Sequence, residues 1–461
     1  MSKNAGTSSR RKPKSSSAER TGRVPSARDV AALVLSRVDQ DGAWASPTLD
    51  AELRRAANLD PRDARLTTEL VYGVLRTRTV LEETLARFAP SDRYKEQPRL
   101  RAHMDIAAYT ILFLDRIPAF AAVDEAVEAI KRGAGPRVAG FANAVLRKLA
   151  EASPEMEMGD AIVASLPPWL RESLSASLDG PDQVDAFVAP GEPPQLCLAL
   201  RGGEDRQTWI AKLDAARPEA VFVPGRLSPR AILVRGAGDQ RQLPGAGEAW
   251  TVQEEGAQAL ALMVGARDGE VVLDACAGRG GKAFFLGEQV GERGAVDAAD
   301  VHPKKLSRLR KTPWAHHVRD TFPVDWSKGT GDATGPYDRV LVDAPCSGTG
   351  TLRRRPEIMQ RLTPEDVTRL SSLQIAITRR AATLVEDGGR LFYAVCSVLR
   401  EEAEGVVEAL AAPSEGVTLE PAPFDGDYAR SLAGESSAMR LLPEPHGCDG
   451  YFMASFVVRR G

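Results

Sequence analysis

Two cysteines stand at the ends of apolar runs, each followed at once by serine: Asp343-Ala344-Pro345-Cys346-Ser347-Gly348 and Tyr393-Ala394-Val395-Cys396-Ser397. A lone buried cysteine is ordinarily a small core residue. Two at the ends of strand-like runs, with Asp343 close to one of them, are poorly explained by packing. If the runs pair as neighbouring strands, two thiols and a carboxylate converge. Such a trio suits covalent catalysis on cytosine. C5 of that base is too weak a nucleophile to take a methyl group directly. A thiolate adding to C6 makes C5 enamine-like, able to attack the sulfonium methyl of S-adenosylmethionine. Loss of the C5 proton and expulsion of the thiol then restore the ring. Asp343 would contact N3 and the exocyclic amine, and the other thiol would help remove the proton or release the product. The base must leave its stack to reach such a pocket, or already be unpaired.

A second constellation matches this need for a cofactor. The run Val271–Asp274 leads into Ala275-Cys276-Ala277-Gly278-Arg279-Gly280-Gly281-Lys282 and then a helical pattern. Glycines belong where a turn is tight and a ligand approaches the backbone. The next strand ends in Asp300, placed to accept hydrogen bonds from a ribose diol, and Asp325 further on is a candidate for an adenine amino group. The glycine turn and ribose acid also fit a dinucleotide-dependent oxidoreductase, which leaves the paired thiols without a task. Arg353-Arg354-Arg355 follows the Cys346 loop directly, and a basic triplet there suits a phosphate backbone.

Several elements must position these residues. From about residue 251, apolar strands alternate with helices, the pattern of a doubly wound α/β domain with a largely parallel sheet. Ligands bind such sheets at the carboxyl ends of the strands, where the residues above fall. Residues 26–150 read as an all-helical bundle: Ser26 with Asp29 resembles a capping box, and Asp60-Pro61-Arg62-Asp63 opens another helix. Residues 151–250 read as a proline-marked linker, with a short helix near Trp169–Leu178, followed by a small α+β unit. Thr363-Pro364-Glu365-Asp366 opens a long helix whose Val367, Leu370, Leu373 and Ile377 read as plain core. Residues 1–25 read as a disordered basic tail, with seven Lys/Arg and one Glu among the first 24 residues.

Composition sets the outer bounds. A chain of 461 residues exceeds one compact core. Its 43% apolar and 27% charged residues are those of a soluble globular protein, and no run of about eighteen apolar residues offers a membrane span. The opening residues lack the apolar stretch of a secretory signal. Five scattered cysteines without a CxxC argue against zinc and a disulfide framework and for a reducing cytoplasm. The net charge of −3 excludes indiscriminate coating of nucleic acid but not a local basic patch.

Taken together, the motifs resemble the bacterial Sun-type (Fmu, RsmB) RNA cytosine-5 methyltransferases over nearly everything from about residue 26 onward. The Cys346 and Cys396 motifs at this separation carry most of that resemblance. TVQEEGAQAL with Gln253 and Gln258, Leu441-Leu442-Pro443 and Asp449-Gly450-Tyr451-Phe452 add to it. Residues 26–150 resemble the NusB-type RNA-binding domain through RIPAFAAVDEAV and GFANAVLRKL. The resemblance implies a Rossmann-like S-adenosylmethionine-dependent domain, with Cys396 as nucleophile and Cys346 as release cysteine. It implies cofactor contacts from the Cys276–Lys282 loop, Asp300, Asp325 and Asp343. It further implies 16S ribosomal RNA, free or partly assembled, as partner of a monomeric, metal-free cytoplasmic enzyme. The reverse cysteine order stays open, because DNA cytosine methyltransferases use a cysteine after a proline at the comparable strand end. A tRNA substrate and a non-catalytic antitermination-like factor are the other readings. The loop departs from the family in having Gly278-Arg279 where Ala-Pro is usual, Val395 replaces a common Thr, and Ala403 replaces the Asn that follows two glutamates.

Overall fold

The structure is a computed structural model that describes residues 25–152, 154–189, 194–412 and 416–461. The basic tail up to residue 24, with Pro190 and Pro193 of the connector, lies outside the described residues. The helical domain contains α1 (Ala27–Asp41), α2 (Ala45–Arg55), α3 (Pro61–Ala86), α4 (Pro98–Phe113), α5 (Ala119–Ala134) and α6 (Pro136–Ala152). The capping box is present: Ser26 Oγ accepts from the Asp29 N–H while the Asp29 carboxylate accepts from the Ser26 N–H. Asp60 caps α3 and Pro61 occupies its first turn, where its missing N–H costs nothing. Val34, Leu70, Val74, Ile106, Val145 and Leu146 meet in the core of this bundle.

The connector differs from expectation. It holds three helices, α7 (Met158–Ala164), α8 (Pro168–Ser177) and α9 (Pro181–Val188), where one was expected. Pro168 starts the helix expected near Trp169–Leu178, and Pro181 starts a further one instead of marking a linker. Leu170, Leu174, Val184 and Phe187 then pack against Ile358, Met359 and Val398, so this segment is a packed layer beside the cysteine loops. The small unit has β1 (Leu196–Leu200), α10 (Arg206–Ala216), β2 (Val221–Pro224), β3 (Ala231–Arg235) and β4 (Trp250–Val252), in the antiparallel order β2-β3-β1-β4.

The last domain runs α11 (Glu255–Met263), β5 (Val271–Asp274), α12 (Gly281–Val290), β6 (Ala295–Asp300), α13 (Pro303–Leu309), β7 (Val318–Pro323) and β8 (Tyr337–Asp343). It continues through α14 (Pro364–Ala382), β9 (Val385–Val395), α15 (Glu404–Leu410), β10 (Val417–Pro421), α16 (Asp427–Ala433), β11 (Ala438–Leu441) and β12 (Tyr451–Arg460). The sheet order is β10-β12-β9-β8-β5-β6-β7, with β11 on β12. β5 to β9 are parallel to one another, whereas β12 pairs antiparallel with β9, β10 and β11. From β5 the chain builds outward through β6 and β7, then returns to place β8 on the other flank. That reversal opens a crevice at the carboxyl ends of β5 and β8, the usual ligand position in an open sheet. Among the described residues no helix is long and apolar enough to cross a membrane.

Candidate active site

The two cysteine loops leave adjacent parallel strands, with Asp343 of β8 level with Ala394 of β9. That register carries both chains out of the sheet at the same height. Cys346 Sγ and Cys396 Sγ lie 3.3 Å apart, each half-buried. Backbone bonds lock the arrangement: Gly350 N–H donates to Cys396 O at 3.0 Å, and Gly450 N–H donates to Gly350 O at 2.8 Å. A Cβ on Gly350 would stand 1.9 Å from Gly450 O, so no other residue allows the loops this approach.

Beneath the thiols lies a buried polar network that sequence reasoning missed. Glu402 accepts from Ser347 N–H at 2.9 Å, from Ser347 Oγ, and from Gln374 Nε2 at 2.8 Å. Gln374 also donates to Pro345 O, and its own amide oxygen accepts from Tyr393 OH at 2.9 Å. Ser397 Oγ and Thr349 Oγ1 are 2.9 Å apart. The signal was present in the sequence, because Gln374 occupies a position of α14 where the apolar period calls for a core side chain.

The two sulfurs face different charges. Hydrogen bonding from Cys346 holds the Cys396 thiol below its ordinary range; burial and Asp343 oppose this, while Arg355 and Lys282 reinforce it. Cys346 is pushed well up by that same bond, by burial and by the nearby charges of Cys396 and Glu402. Cys396 is therefore the sulfur more easily ionised, and once ionised it accepts the hydrogen bond from Cys346. Lys282 Nζ reaches Asp343 Oδ2 at 2.6 Å from the first turn of α12. Burial works against its charge, but Asp343 outweighs this and raises its pKa.

The loop from Cys276 to Lys282 wraps the carboxyl end of β5. Gly278 and Gly280 have φ of 59° and 93°, left-handed conformations that only glycine adopts cheaply. Gly278 faces open space, whereas a Cβ on Gly280 would collide with Phe284 and Leu309. Cys276 is half-buried, Ala277 is buried and Arg279 points to solvent. Asp300 accepts from Gly278 N–H at 3.0 Å and His302 N–H at 2.7 Å, so it braces the loop from the next strand. Val301 beside it is 53% exposed, an apolar surface at the same crevice. Asp325 accepts from Ser327 and pairs with Lys328 at 2.9 Å; these bonds lower its carboxyl to about 2, while Trp326 is buried with Nε1 donating to Ala275 O. Asp274 is fully buried, and neither carboxylate oxygen has a hydrogen-bond partner. Burial first, then the Asp343 charge, raises it to about 7. An orphaned acid, two further acids and an open glycine turn fit a cationic nucleoside.

The basic triplet does not act as one patch. Arg354 pairs with Asp449 at 2.7 Å and donates to Gln195 O at 3.0 Å, so its charge is committed to a buried acid. Arg353 is half-buried, and its carbonyl accepts from Arg76 of α3. Only Arg355 is exposed. Position in a loop that closes over a buried carboxylate explains the difference, and spacing alone could not have shown it.

Residues 261–457 match the family described as 16S rRNA methyltransferase RsmB/F, and residues 25–151 match the NusB family. A ribosomal RNA small subunit methyltransferase B from Xylella fastidiosa is 33% identical, with 93% of this chain and 97% of that protein covered. A probable one from Synechocystis is 29% identical, over 93% and 99%. The crystal structure of PH0851 superposes with a TM-score of 0.77 at 22% identity, covering 94% of this chain and 99% of the other. That of NSun6 from Pyrococcus horikoshii with SFG gives 0.51 at 16%, over 64% and 98%, and both likenesses speak to the fold. The thiol pair, the glycine loop and the helical domain thus sit within a known frame: the chain belongs to the RsmB/F family of 16S rRNA methyltransferases and carries an N-terminal NusB-family domain.

Proposed function

We propose that the protein methylates C5 of a cytosine in small-subunit (16S) ribosomal RNA, in the cytoplasm, through a covalent bond between Cys396 Sγ and C6. The observation that carries this reading is the 3.3 Å thiol pair in which Cys396 faces Lys282 and Arg355 while Cys346 faces Glu402. A nucleophile needs its thiolate, and the hydrogen bond from Cys346, with Arg355 and Lys282 nearby against burial and Asp343, favours it at Cys396. The names of the relatives, all small-subunit ribosomal RNA methyltransferases, support the substrate class.

S-adenosylmethionine, held by the Cys276–Lys282 loop, supplies an electrophilic methyl group for C5. The protein's residues do the rest. Asp300 is placed for ribose hydroxyls, and Asp274 lies buried beneath the loop that holds the cofactor. Asp343 gives Oδ2 to Lys282 and keeps Oδ1 for N3 or the exocyclic amine of the base. Cys396 Sγ bonds to C6, and electron density moves to C5. Once C5 carries the methyl, its proton leaves to a base, the Sγ–C6 bond breaks and the ring regains aromaticity. Cys346, already hydrogen-bonded to the departing sulfur, is the group that assists this release.

The test is transfer of labelled methyl from S-adenosylmethionine to unmethylated 16S RNA, free and in early assembly particles, followed by nucleoside analysis. 5-Methylcytosine is expected. RNA binding without transfer would overturn the reading in favour of a non-catalytic factor, and transfer to tRNA alone would change the substrate. Cys396→Ser is expected to form no adduct, and Cys346→Ser to accumulate one. The opposite pattern would exchange their roles.

A further inference from the structure

The Arg355 side chain makes no hydrogen bond and no ion pair among the described residues, although it follows the cysteine loop and its charge is felt at Cys396. Its guanidinium carbon lies 5.7 Å from the ring centroid of Trp44, which belongs to the helical domain and is 48% exposed. A single exposed aromatic residue means little. This one is fixed at the joint between domains. Trp44 is the N-cap residue of α2, and the next N–H, of Ala45, donates to Glu357 at 2.9 Å. Arg361, 5.5 Å from the same ring, is itself pinned by the carbonyls of Val38, Gly42 and Ala43. A rigid aromatic surface and one uncommitted cation therefore stand together on the rim of the thiol site.

We propose that Trp44 and Arg355 form a composite subsite for a nucleotide flanking the target cytosine, the indole stacking on its base and the guanidinium meeting its phosphate. This rests on the RNA cytosine methyltransferase reading. A cytosine drawn out of its stack leaves its neighbours without a stacking partner, and an exposed indole replaces it for any base. A cation over an exposed ring is held more weakly than a stacked base. An incoming base therefore takes the ring and frees Arg355 for the backbone. The subsite uses one residue from each domain, so the helical domain contributes directly at the reacting end of the RNA.

The test uses the full chain and a 16S RNA fragment that contains the methylated cytosine, with 5-bromouridine at positions next to it. Ultraviolet cross-linking is expected to map to the peptide that contains Trp44. Trp44→Ala is expected to weaken equilibrium RNA binding by about 5- to 150-fold, the range for loss of one base–aromatic stack, and Trp44→Phe to recover most of it. Arg355→Ala is expected to reduce the slope of log affinity against log salt by about 0.7 to 1. Calorimetric binding of S-adenosylmethionine should be unchanged in each variant. Wild-type affinity and salt slope in Arg355→Ala, with no cross-link at Trp44, would overturn the subsite, and this holds even if Trp44→Ala fails to fold. A wild-type protein that methylates no RNA would instead overturn the underlying reading.

Discussion

Gln374 Nε2 lies 2.8 Å from a Glu402 carboxylate oxygen, and both residues are fully buried beneath the cysteine loops. Glu402 receives only neutral donors from Ser347 and Gln374, and those donors fix the loop that holds Cys346. Glu402→Ala strands them. A loss of about 2–4 kcal/mol is expected, because buried unpaired donors each cost about 1–3 kcal/mol. The urea midpoint measures it. Release of product, read as lifetime of the RNA adduct, should slow as well.

Lys282 favours the thiolate of Cys396. The rate of transfer should rise with pH as Cys396 loses its proton, with the rise centred below the ordinary thiol value. Lys282→Met removes a stabilising positive charge, so the centre moves to higher pH. A shift of about one unit, hence about ten-fold slower transfer at neutral pH, is the expected size. Single-turnover rates across the pH range give the answer.

Arg354 and Arg355 should separate cleanly. Arg354→Ala leaves the buried Asp449 without its cation, and a destabilisation of about 2–4 kcal/mol is expected, since Arg354 itself is partly exposed. Its RNA salt slope should stay that of the wild type. A reduced slope with unchanged urea midpoint would place Arg354 on the RNA instead.

Asp274 links stability to pH. Its folded carboxyl is raised to about 7, above the unfolded value of about 4. A raised folded pKa contributes stability below the unfolded pKa, and the contribution is lost as pH rises through the folded one. The melting temperature of the ligand-free protein should therefore fall as pH rises from about 4 to about 7, and level off above that. Asp274→Asn should flatten that fall.

Gly350→Ala should remove activity along with stability. The added carbon would meet Gly450 O at 1.9 Å, and backbone on both sides must move. A cost of about 3 kcal/mol or more is expected, with the two thiols drawn apart. The loss of a dithiol-bridging reagent's cross-link between Cys346 and Cys396 would register that separation.

Legibility in the sequence followed the range of the interactions. Capping at Ser26 and Asp60, and the strand ends at Asp300, Asp343 and Val395, are local and could be read directly. The meeting of Cys346 with Cys396 was conditional on β8 and β9 being neighbours, which a periodic pattern cannot establish. Arg353, Arg354 and Arg355 are chemically alike in sequence; only the fold distributes one to an acid, one to a half-buried position and one to solvent. The Glu402 network was missed because its members come from three distant segments. Pro181 misled because proline both ends and begins helices, whereas the helix that follows Pro168 was read from the sequence.

Arg361 holds three carbonyls at the end of α1, while Gln360 and Arg76 tie α3 to the same segment after Cys346. The helical domain is thus not a detachable module. A gene fusion that swapped in another RNA-binding domain would have to reproduce the end of α1 atom for atom, or leave the stretch after Cys346 without its anchor. A substitution on one side of this joint therefore calls for a matching change on the other.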